Sequence, residues 1–265
     1  MASKNDKLDR QQRAEQMRKE RERADKRRRS GITIGIVAIV VVLIAVAAFA
    51  INQEVGKNNA PAKAPNGVTK DGGVLYDQAA ATGKPATAEN PVKVVLYEDF
   101  QCPACQSFEA SVGSFLQQSV ASGAISVEYR PIAFLDKASS TKYSSRALNA
   151  AACVVDEKGP KAFYDLHSTL YRSQPPEGGA GLEDSQLEGF AEQAGAAGSG
   201  SCIADGKFEK WSKDVTEKAS AAGVSGTPTV KVEGKVVEGA VNPQTGEPST
   251  AGLAELQAAI SASKK

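Results

Sequence analysis

Two cysteines separated by two residues, Cys102 and Cys105, lie between a segment with strand character and a segment with helix character. Residues 92–97 are mostly apolar and rich in β-branched side chains, and Glu98-Asp99 follows them, as is typical where a buried strand ends. The apolar residues after the motif recur at steps of three and four, which predicts a helix: Phe108, Val112, Phe115, Leu116 and Val120. The motif is therefore predicted at a strand-to-helix junction.

The rest of the chain extends this unit into a larger α/β fold. Residues 126–130 alternate apolar and polar side chains, which predicts a second strand parallel to the first after a right-handed crossover. Residues 229–232 and 235–238 are joined by Glu233-Gly234, a hairpin signal, and a helix follows. That helix carries three apolar residues on one face: Leu253, Leu256 and Ile260. This order predicts the α/β class and the thioredoxin arrangement, in a domain spanning residues 71–265.

A helical insertion is predicted between the two halves, from about residue 139 to about residue 223. Two apolar stripes at helical spacing indicate buried faces: Tyr143, Ala147, Ala150 and Val154 in the first, and Phe208, Trp211, Val215, Ala219 and Ala222 in the second. We interpret both stripes as core. The loop at 174–181, rich in proline and glycine, separates helices inside the insertion and suggests no chemistry.

Residues 31–51 form an uncharged run of 21 residues, long enough as a helix to cross a hydrocarbon core of about 30 Å. Lys26 to Arg29 precede this run directly, so the positive-inside rule places the N-terminus in the cytoplasm. A cleaved signal peptide is the alternative, since 48–50 resembles a small-residue cleavage site. Both interpretations export residues 52–265, and we expect a single-pass membrane protein with an extracytoplasmic catalytic domain.

The charge distribution is asymmetric. Residues 1–30 carry a net charge of +6, whereas the whole chain carries +1, so that residues 52–265 sum to −5. We interpret 1–30 as a basic cytoplasmic tail and 52–70, which is small, polar and proline-containing, as a flexible linker. Because the exported part lacks an excess of basic residues, we expect no nucleic-acid partner.

A cysteine at the start of a helix is predicted to be reactive. Unpaired backbone N–H groups and the positive end of the helix dipole stabilise a thiolate there and lower its pKa. Cys102 is then a good nucleophile and a good leaving group, while Cys105, one turn into the helix, can resolve a mixed disulfide. Pro103 suits the first helical position because its missing N–H costs no hydrogen bond there.

Three other interpretations of this motif stay open. A zinc site would need two further ligands, but the chain has a single histidine, His167, and the remaining cysteines, Cys153 and Cys202, lie in the helical block. Haem attachment would need a histidine directly after the motif, where Gln106 stands. The third is an inert structural disulfide. We expect neither a metal nor an organic cofactor.

Cys153 and Cys202 are predicted to form a structural disulfide, since an exported chain with four cysteines favours pairing. A second redox relay is the alternative role for this pair. His167 is interpreted as a packed or surface helix residue, with a catalytic role as the alternative.

Two sequence segments resemble the DsbA-like disulfide oxidoreductases, and specifically their membrane-anchored Gram-positive type. The first is Tyr97 to Cys105, which reads YEDFQCPAC, and the second is Gly226 to Thr229, which reads GTPT. The resemblance covers roughly residues 70–263, including a helical insertion that holds a cysteine pair.

The resemblance implies a thioredoxin core in which Cys102 is catalytic and Cys105 is resolving. It also implies a cis Thr227-Pro228 bond that faces the motif, where the backbone pairs with an extended substrate chain. The implied partners are unfolded exported proteins that contain cysteine, and a membrane reoxidant of the DsbB or vitamin K epoxide reductase type.

The sequence departs from the family pattern at two places. Ala104 stands where the best-known DsbA proteins have histidine, so a milder oxidising power is expected. Leu96 occupies the position of the buried acid that thioredoxin-like enzymes often carry six residues before the first cysteine. Glu98 or Asp99 is a candidate for a similar proton-handling role, and solvated or helix-start charges are the alternative.

The leading functional hypothesis is an oxidase that donates its Cys-Pro-Ala-Cys disulfide to newly exported chains. An isomerase or reductase is a second hypothesis. Bacterial isomerases of this kind usually carry a dimerisation domain, and residues 52–90 are too short for one. We therefore expect a monomeric catalytic domain. A tethered peptide-binding holdase without redox turnover is the third.

Overall fold

The structure, a computed structural model, describes Met17 and residues 62–238 and 251–263. Within these residues no helix is both long enough and apolar enough to cross a membrane. Apart from Met17, the predicted tail at 1–30 and the whole of the predicted anchor at 31–51 lie outside this part of the chain.

A mixed sheet forms the centre of the domain, with its strands in the spatial order β1, β3, β2, β4, β5. The strands are β1 (Val74–Tyr76), β2 (Val92–Glu98), β3 (Ile125–Pro131), β4 (Thr229–Val232) and β5 (Lys235–Val236). β2 pairs in parallel with β3 and antiparallel with β4, while β1 and β5 add antiparallel pairs at the edges. The predicted thioredoxin arrangement is confirmed, and the edge strand β1 is an element that the sequence analysis did not predict.

The helices of the described residues are α1 (Gln78–Thr82), α2 (Pro103–Ala121), α3 (Tyr143–Lys158), α4 (Pro160–Arg172), α5 (Asp184–Gln193), α6 (Gly200–Ala204), α7 (Glu209–Ala221) and α8 (Ala251–Ser263). Short 3-10 turns lie at Phe134–Lys137 and Ala197–Ser199. α2 packs on β3, α4 packs on β1, and α8 packs on both α2 and β4. The two strands β1 and β3 are therefore each contacted by a helix.

The central strand β2 leads directly into the candidate site. Its residues Val92, Val94 and Leu96 are buried, and Lys93 between them is exposed. β2 has hydrogen-bonded neighbours on both edges, so its position is fixed by two ladders. The residues that follow its carboxyl end are consequently held in a defined place relative to the sheet.

Helix α2 begins where the sequence predicts it. Cys102 is its N-cap residue and Pro103 occupies the first turn. An N–H in the first turn has no partner within the helix, so proline loses no hydrogen bond there. The predicted apolar face is buried except for Phe115, which is partly buried against the core. The helix ends at Ala121, and Gly123 then takes a positive φ of 78°, which a residue without Cβ adopts at little cost.

The predicted helical insertion is present as helices α3 to α7. The first stripe is fully buried, and so are the first four residues of the second. Ala222, the last residue predicted in the second stripe, is exposed, because α7 ends at Ala221 and the chain turns away at Gly223, where φ is 82°. The core prediction was therefore wrong at that one position.

Part of the segment that we predicted as linker belongs to the folded domain. The backbone N–H of Ala62 donates to the Asp214 carboxylate at a distance of 3.1 Å, and the N–H of Asn66 donates to the Asp156 carboxylate at 2.8 Å. Val68 forms an isolated antiparallel bridge with Val74. Residues 62–70 therefore lie against the domain, because side-chain acceptors on the insertion bind their backbone, and residues 52–61 lie outside the described part.

The carboxyl-terminal elements also follow the predicted pattern. Glu233 and Gly234 both have positive φ, 47° and 77°, which suits a two-residue hairpin between β4 and β5. β5 ends at Val236, two residues before the predicted end. In α8, Leu256 and Ile260 are buried and Leu253 packs partly buried against the core.

Candidate redox site

The two motif cysteines occupy different environments at the start of α2. Both are free thiols, and Cys102 retains 8% of its surface whereas Cys105 retains none. Pro103 is exposed and Ala104 is half-buried. The Cys102 thiol is consequently the one that a second protein could reach.

Thr227 and Pro228 lie beside this thiol, although they are remote in sequence. The Thr227-Pro228 bond is cis, and Sγ of Cys102 lies 3.3 Å from the Thr227 carbonyl oxygen, to which the thiol donates when it is protonated. Pro228 is buried directly before β4, which pairs with β2. The antiparallel β2–β4 ladder therefore brings together the residues predicted for redox chemistry and for substrate binding.

The Cys102 thiolate is stabilised by several donors at once. A hydrogen bond from the Cys105 thiol is the main reason that the pKa of Cys102 falls to about 6, although burial opposes it. Hydrogen bonds from the Thr227 side chain and from the N–H groups of Cys105 and Ala104 act in the same direction. The predicted contribution of the helix start is present in these two N–H groups, but the partner thiol contributes most.

Cys105 behaves in the opposite way. Burial raises the pKa of the Cys105 thiol well above its ordinary value, and the hydrogen bond to Cys102 raises it further. At neutral pH the reduced pair therefore holds one thiolate, on Cys102, and one proton, on Cys105. The more accessible sulfur, on Cys102, can attack or leave as an anion. The buried sulfur, on Cys105, can attack a mixed disulfide that forms on Cys102 and so resolve it.

Alkylation of Cys102 is expected to follow a pH profile centred near 6. A lowered pKa stabilises the reduced folded protein fully above about pH 9, and this stabilisation is lost as the pH falls through about 6. Iodoacetamide labelling between pH 4 and 9, read by mass spectrometry, measures the midpoint. In the Cys102→Ser control the remaining buried thiol should label slowly throughout. A midpoint at or above pH 8 would contradict the stabilised thiolate.

Glutamine side chains fasten the motif to the loop at 174–181. Nε2 of Gln174 donates to the carbonyl oxygens of Phe100 and Cys102, each at a distance of 3.0 Å. Nε2 of Gln101 donates to the carbonyl oxygens of Pro176 and Gly179, each at a distance of 3.2 Å. These bonds satisfy backbone acceptors around the motif, and they give the loop a positioning role that the sequence analysis missed.

Asp99 is buried and fully engaged, so the solvated alternative for this residue was wrong. Its carboxylate accepts hydrogen bonds from the Gln101 N–H (2.9 Å), the Leu135 N–H (2.9 Å) and the Ser144 hydroxyl (2.6 Å). Burial raises the pKa of Asp99 and these bonds oppose the rise. Asp99 therefore ties the motif loop to the insertion.

Glu98, the last residue of β2, is also buried, with 2% of its surface exposed. Its Oε2 lies 3.0 Å from Nε2 of His167 on α4, and Glu109 on α2 lies within hydrogen-bonding reach of its carboxyl. Burial raises the pKa of both Glu98 and Glu109 to about 8 and lowers the pKa of His167. Leu96, at the position of the usual buried acid, is fully buried core.

His167 is a packed helix residue, as the sequence analysis interpreted it. Its ring is surrounded by five aromatic side chains: Phe100, Tyr129, Phe163, Tyr164 and Tyr171. Its partnership with Glu98 and Glu109 was not foreseen. Glu98 was a candidate only for proton handling and Glu109 was not singled out, and the three residues lie on three separate elements, so sequence spacing gave no signal for the cluster.

The other cysteine pair is joined within the insertion. Cys153 on α3 and Cys202 on α6 form a disulfide with an S–S distance of 2.00 Å and a Cα–Cα distance of 5.9 Å. Cys153 is buried among the apolar side chains of α3. The bond links two helices of the insertion through cysteines that are 49 residues apart in sequence.

Comparisons with known proteins agree with this geometry. A family model described as "Thioredoxin" matches residues 79–247. A solved structure of the reduced disulfide bond oxidoreductase DsbG from Mycobacterium tuberculosis is 36% identical, with a TM-score of 0.58, and the match covers 72% of this chain and 86% of that one. Oxidised DsbA from the same organism is 37% identical, with a TM-score of 0.54, over 63% of this chain and 85% of that one.

Among curated proteins, the serine/threonine-protein kinase PknE of Mycobacterium tuberculosis is 32% identical over 149 residues. That match covers 53% of this chain and 26% of the kinase, so the chain spans about a quarter of that relative's length. The kinase name therefore carries no activity over to this chain.

Proposed function

The chain belongs to the thioredoxin family, its folded domain is a thiol-disulfide oxidoreductase of the DsbA type, and we propose that it introduces disulfide bonds into exported proteins. Cys102 and Cys105 are the proposed redox pair. The observation that carries this proposal is the opposite shift of their two pKa values, downwards for Cys102 and upwards for Cys105.

The lowered pKa of Cys102 favours the direction of an oxidase. A thiolate that is stabilised in the folded protein stabilises the reduced pair and thereby makes the disulfide form more oxidising. The fall of the Cys102 pKa from 9.0 to about 6 shifts the redox equilibrium at pH 7 about tenfold towards the reduced pair. That factor corresponds to ~30 mV for a two-electron couple.

The proposed reaction has two exchange steps. A substrate thiolate attacks Sγ of Cys102 in the oxidised enzyme, the bond between the two motif sulfurs breaks, and Cys105 leaves and takes up a proton. A second thiolate of the substrate then attacks the substrate sulfur of the mixed disulfide, and Cys102 leaves as the stabilised thiolate. The substrate dithiol loses two electrons and the enzyme disulfide gains them, so no metal or organic cofactor takes part.

The substrates that we propose are unfolded exported proteins that contain cysteine. Because the Thr227 carbonyl lies 3.3 Å from Sγ of Cys102, an extended chain that paired with this backbone would present its sulfur to Cys102. Backbone pairing places little demand on substrate sequence. A monomeric domain suffices for this chemistry, since both cysteines and the Thr227-Pro228 segment come from one chain.

We further propose that residues 31–51 anchor the domain on the outer side of the membrane, with residues 1–30 in the cytoplasm. The uncharged run and the cations before it support this topology. An extracytoplasmic oxidase needs an electron acceptor after each turnover. A membrane reoxidant of the DsbB or vitamin K epoxide reductase type would fill that role.

The direction of the reaction is tested by equilibrating the full-length protein with defined ratios of reduced and oxidised glutathione. We expect the Cys102–Cys105 couple to be more oxidising than glutathione, because its reduced form is stabilised. A couple that is strongly reducing would overturn the oxidase and favour the reductase. In cells, a Cys105→Ala variant should accumulate mixed disulfides with exported proteins, and recovery of none would contradict turnover on such substrates.

A further inference from the structure

Three potential metal ligands converge behind the redox pair, and the oxidase reaction uses none of them. Glu98 ends β2, Glu109 lies on the second turn of α2, and His167 lies on α4. One ligand atom from each of the three residues lies within 4.8 Å of the other two. Three elements that are remote in sequence therefore bring two carboxylates and one imidazole to a single point.

Both glutamates also have a buried oxygen without a hydrogen-bond partner, Oε1 in each case, and Nδ1 of His167, the ring nitrogen that does not face Glu98, has none either. Buried polar groups are nearly always paired, because an unpaired one keeps the full cost of its desolvation. His167 is 1% exposed and Glu98 is 2% exposed, so bulk water does not satisfy these atoms. Carboxylate oxygens accept hydrogen bonds and bind cations, which indicates that the missing partner is a donor or a cation.

We propose that Glu98, Glu109 and His167 bind one divalent transition-metal cation of the Zn²⁺ type. The inference goes beyond the proposed oxidase activity and does not rest on it. The neutral imidazole and the two carboxylates are ligands that Zn²⁺ accepts, and a set of three leaves a fourth position for water. Ca²⁺ and Mg²⁺ prefer six or more oxygen ligands, so an imidazole with two carboxylates suits them poorly.

The distances fit such an ion after small movements. A tetrahedral Zn²⁺ with bonds of ~2.1 Å separates its ligands by roughly 3.4 Å. Nε2 of His167 and Oε2 of Glu98 are 3.0 Å apart, and the remaining separations are at most 4.8 Å. Binding of the ion therefore requires the Glu98–His167 pair to separate by about 0.4 Å and the Glu109 carboxyl to move closer to both.

A cavity beside α2 and α4 reaches one of the three proposed ligands, Glu109. This cavity, of about 780 Å³, lies between these helices, and Glu109 and Tyr171 are among its lining residues. The Tyr171 hydroxyl is buried without a hydrogen-bond partner, and the Tyr171 ring lies 4.8 Å from the His167 ring, so an outer hydrogen-bonding group is close to the cluster. The site thus combines ligands, an outer hydrogen-bonding group and access, as a metal site requires.

The test uses the untagged full-length protein in detergent with both cysteine pairs oxidised, so that no thiolate competes for the metal. Isothermal titration with Zn²⁺ should give one site per chain. Glu109→Gln, which keeps the shape of the side chain, should weaken binding by at least about tenfold. Asp165→Asn removes a carboxylate that lines the same cavity but lies outside the cluster, and it should leave binding unchanged.

Absence of stoichiometric Zn²⁺ binding by the wild-type protein would overturn the proposal and leave water or shared protons as the missing partners. Equal affinity of wild type and a folded Glu109→Gln variant would also overturn it. If that variant unfolds, X-ray absorption of the wild-type Zn²⁺ complex decides. One imidazole with oxygen ligands and no sulfur supports the site, and a spectrum without imidazole overturns it.

Discussion

Replacement of Cys102 with serine is expected to abolish disulfide transfer. A serine oxygen cannot form the disulfide that is passed to the substrate, and Cys105, the remaining motif thiol, has no exposed surface. It is also held protonated by burial, which raises its pKa. Oxidative refolding of a reduced two-cysteine substrate should therefore proceed only at the rate seen without enzyme.

Cys105→Ser is the matched control, because it removes the other sulfur of the same pair. This variant keeps the nucleophile, so when it is mixed with the oxidised substrate its Cys102 thiolate should attack the substrate disulfide, release one substrate thiolate and form a mixed disulfide that the missing Cys105 cannot resolve. Non-reducing electrophoresis separates the two outcomes. Residual refolding by Cys102→Ser above the rate without enzyme would show that another sulfur carries the reaction. Persistent mixed disulfides with Cys102→Ser would contradict the assignment of nucleophile and resolving thiol.

The elements that carry the redox motif were predictable from local sequence pattern. The β-branched run at 92–97 predicts the strand β2, and the apolar repeat after the motif predicts the helix α2. Pro103 then fixes where α2 starts. The parallel pairing of β2 with β3 follows from the helix between them, because parallel neighbouring strands are joined by a crossover that is usually a helix.

The surroundings of the motif were not predictable, because they depend on contacts that are distant in sequence. Gln174 binds the carbonyl oxygens of Phe100 and Cys102 from a loop whose composition indicates only a turn. The Glu98–His167 contact joins residues that are 69 positions apart. Charged residues in a single sequence are interpreted as solvated unless a partner is known, and the fold supplies these partners.

The short elements at the start of the domain were missed for a different reason. β1 has three residues and its middle residue, Leu75, is partly exposed, so neither run length nor alternation distinguishes it from a loop. Residues 62–70 are polar and small, as in a linker. They are held by the carboxylates of Asp156 and Asp214, which only the folded insertion brings near.

Removal of the Cys153–Cys202 disulfide is expected to lower the free energy of unfolding by ~4 kcal/mol, from the loop entropy of a bond that spans 49 residues. Such a loss is a large fraction of the stability of a typical domain. Urea unfolding of the Cys153→Ala/Cys202→Ala variant, followed by circular dichroism, measures the change. Alanine avoids placing a hydroxyl among the apolar neighbours of Cys153.

The same variant distinguishes a structural bond from a second redox relay, because the two roles predict different effects on turnover. If the bond is structural, the variant should oxidise substrate at nearly the wild-type rate at temperatures where it stays folded, since Cys102 and Cys105 are unchanged. A relay predicts lost turnover together with a small change in stability. A loss of stability below about 1 kcal/mol would contradict the structural role. Single replacements are less informative, because they leave an unpaired thiol that can exchange with Cys102.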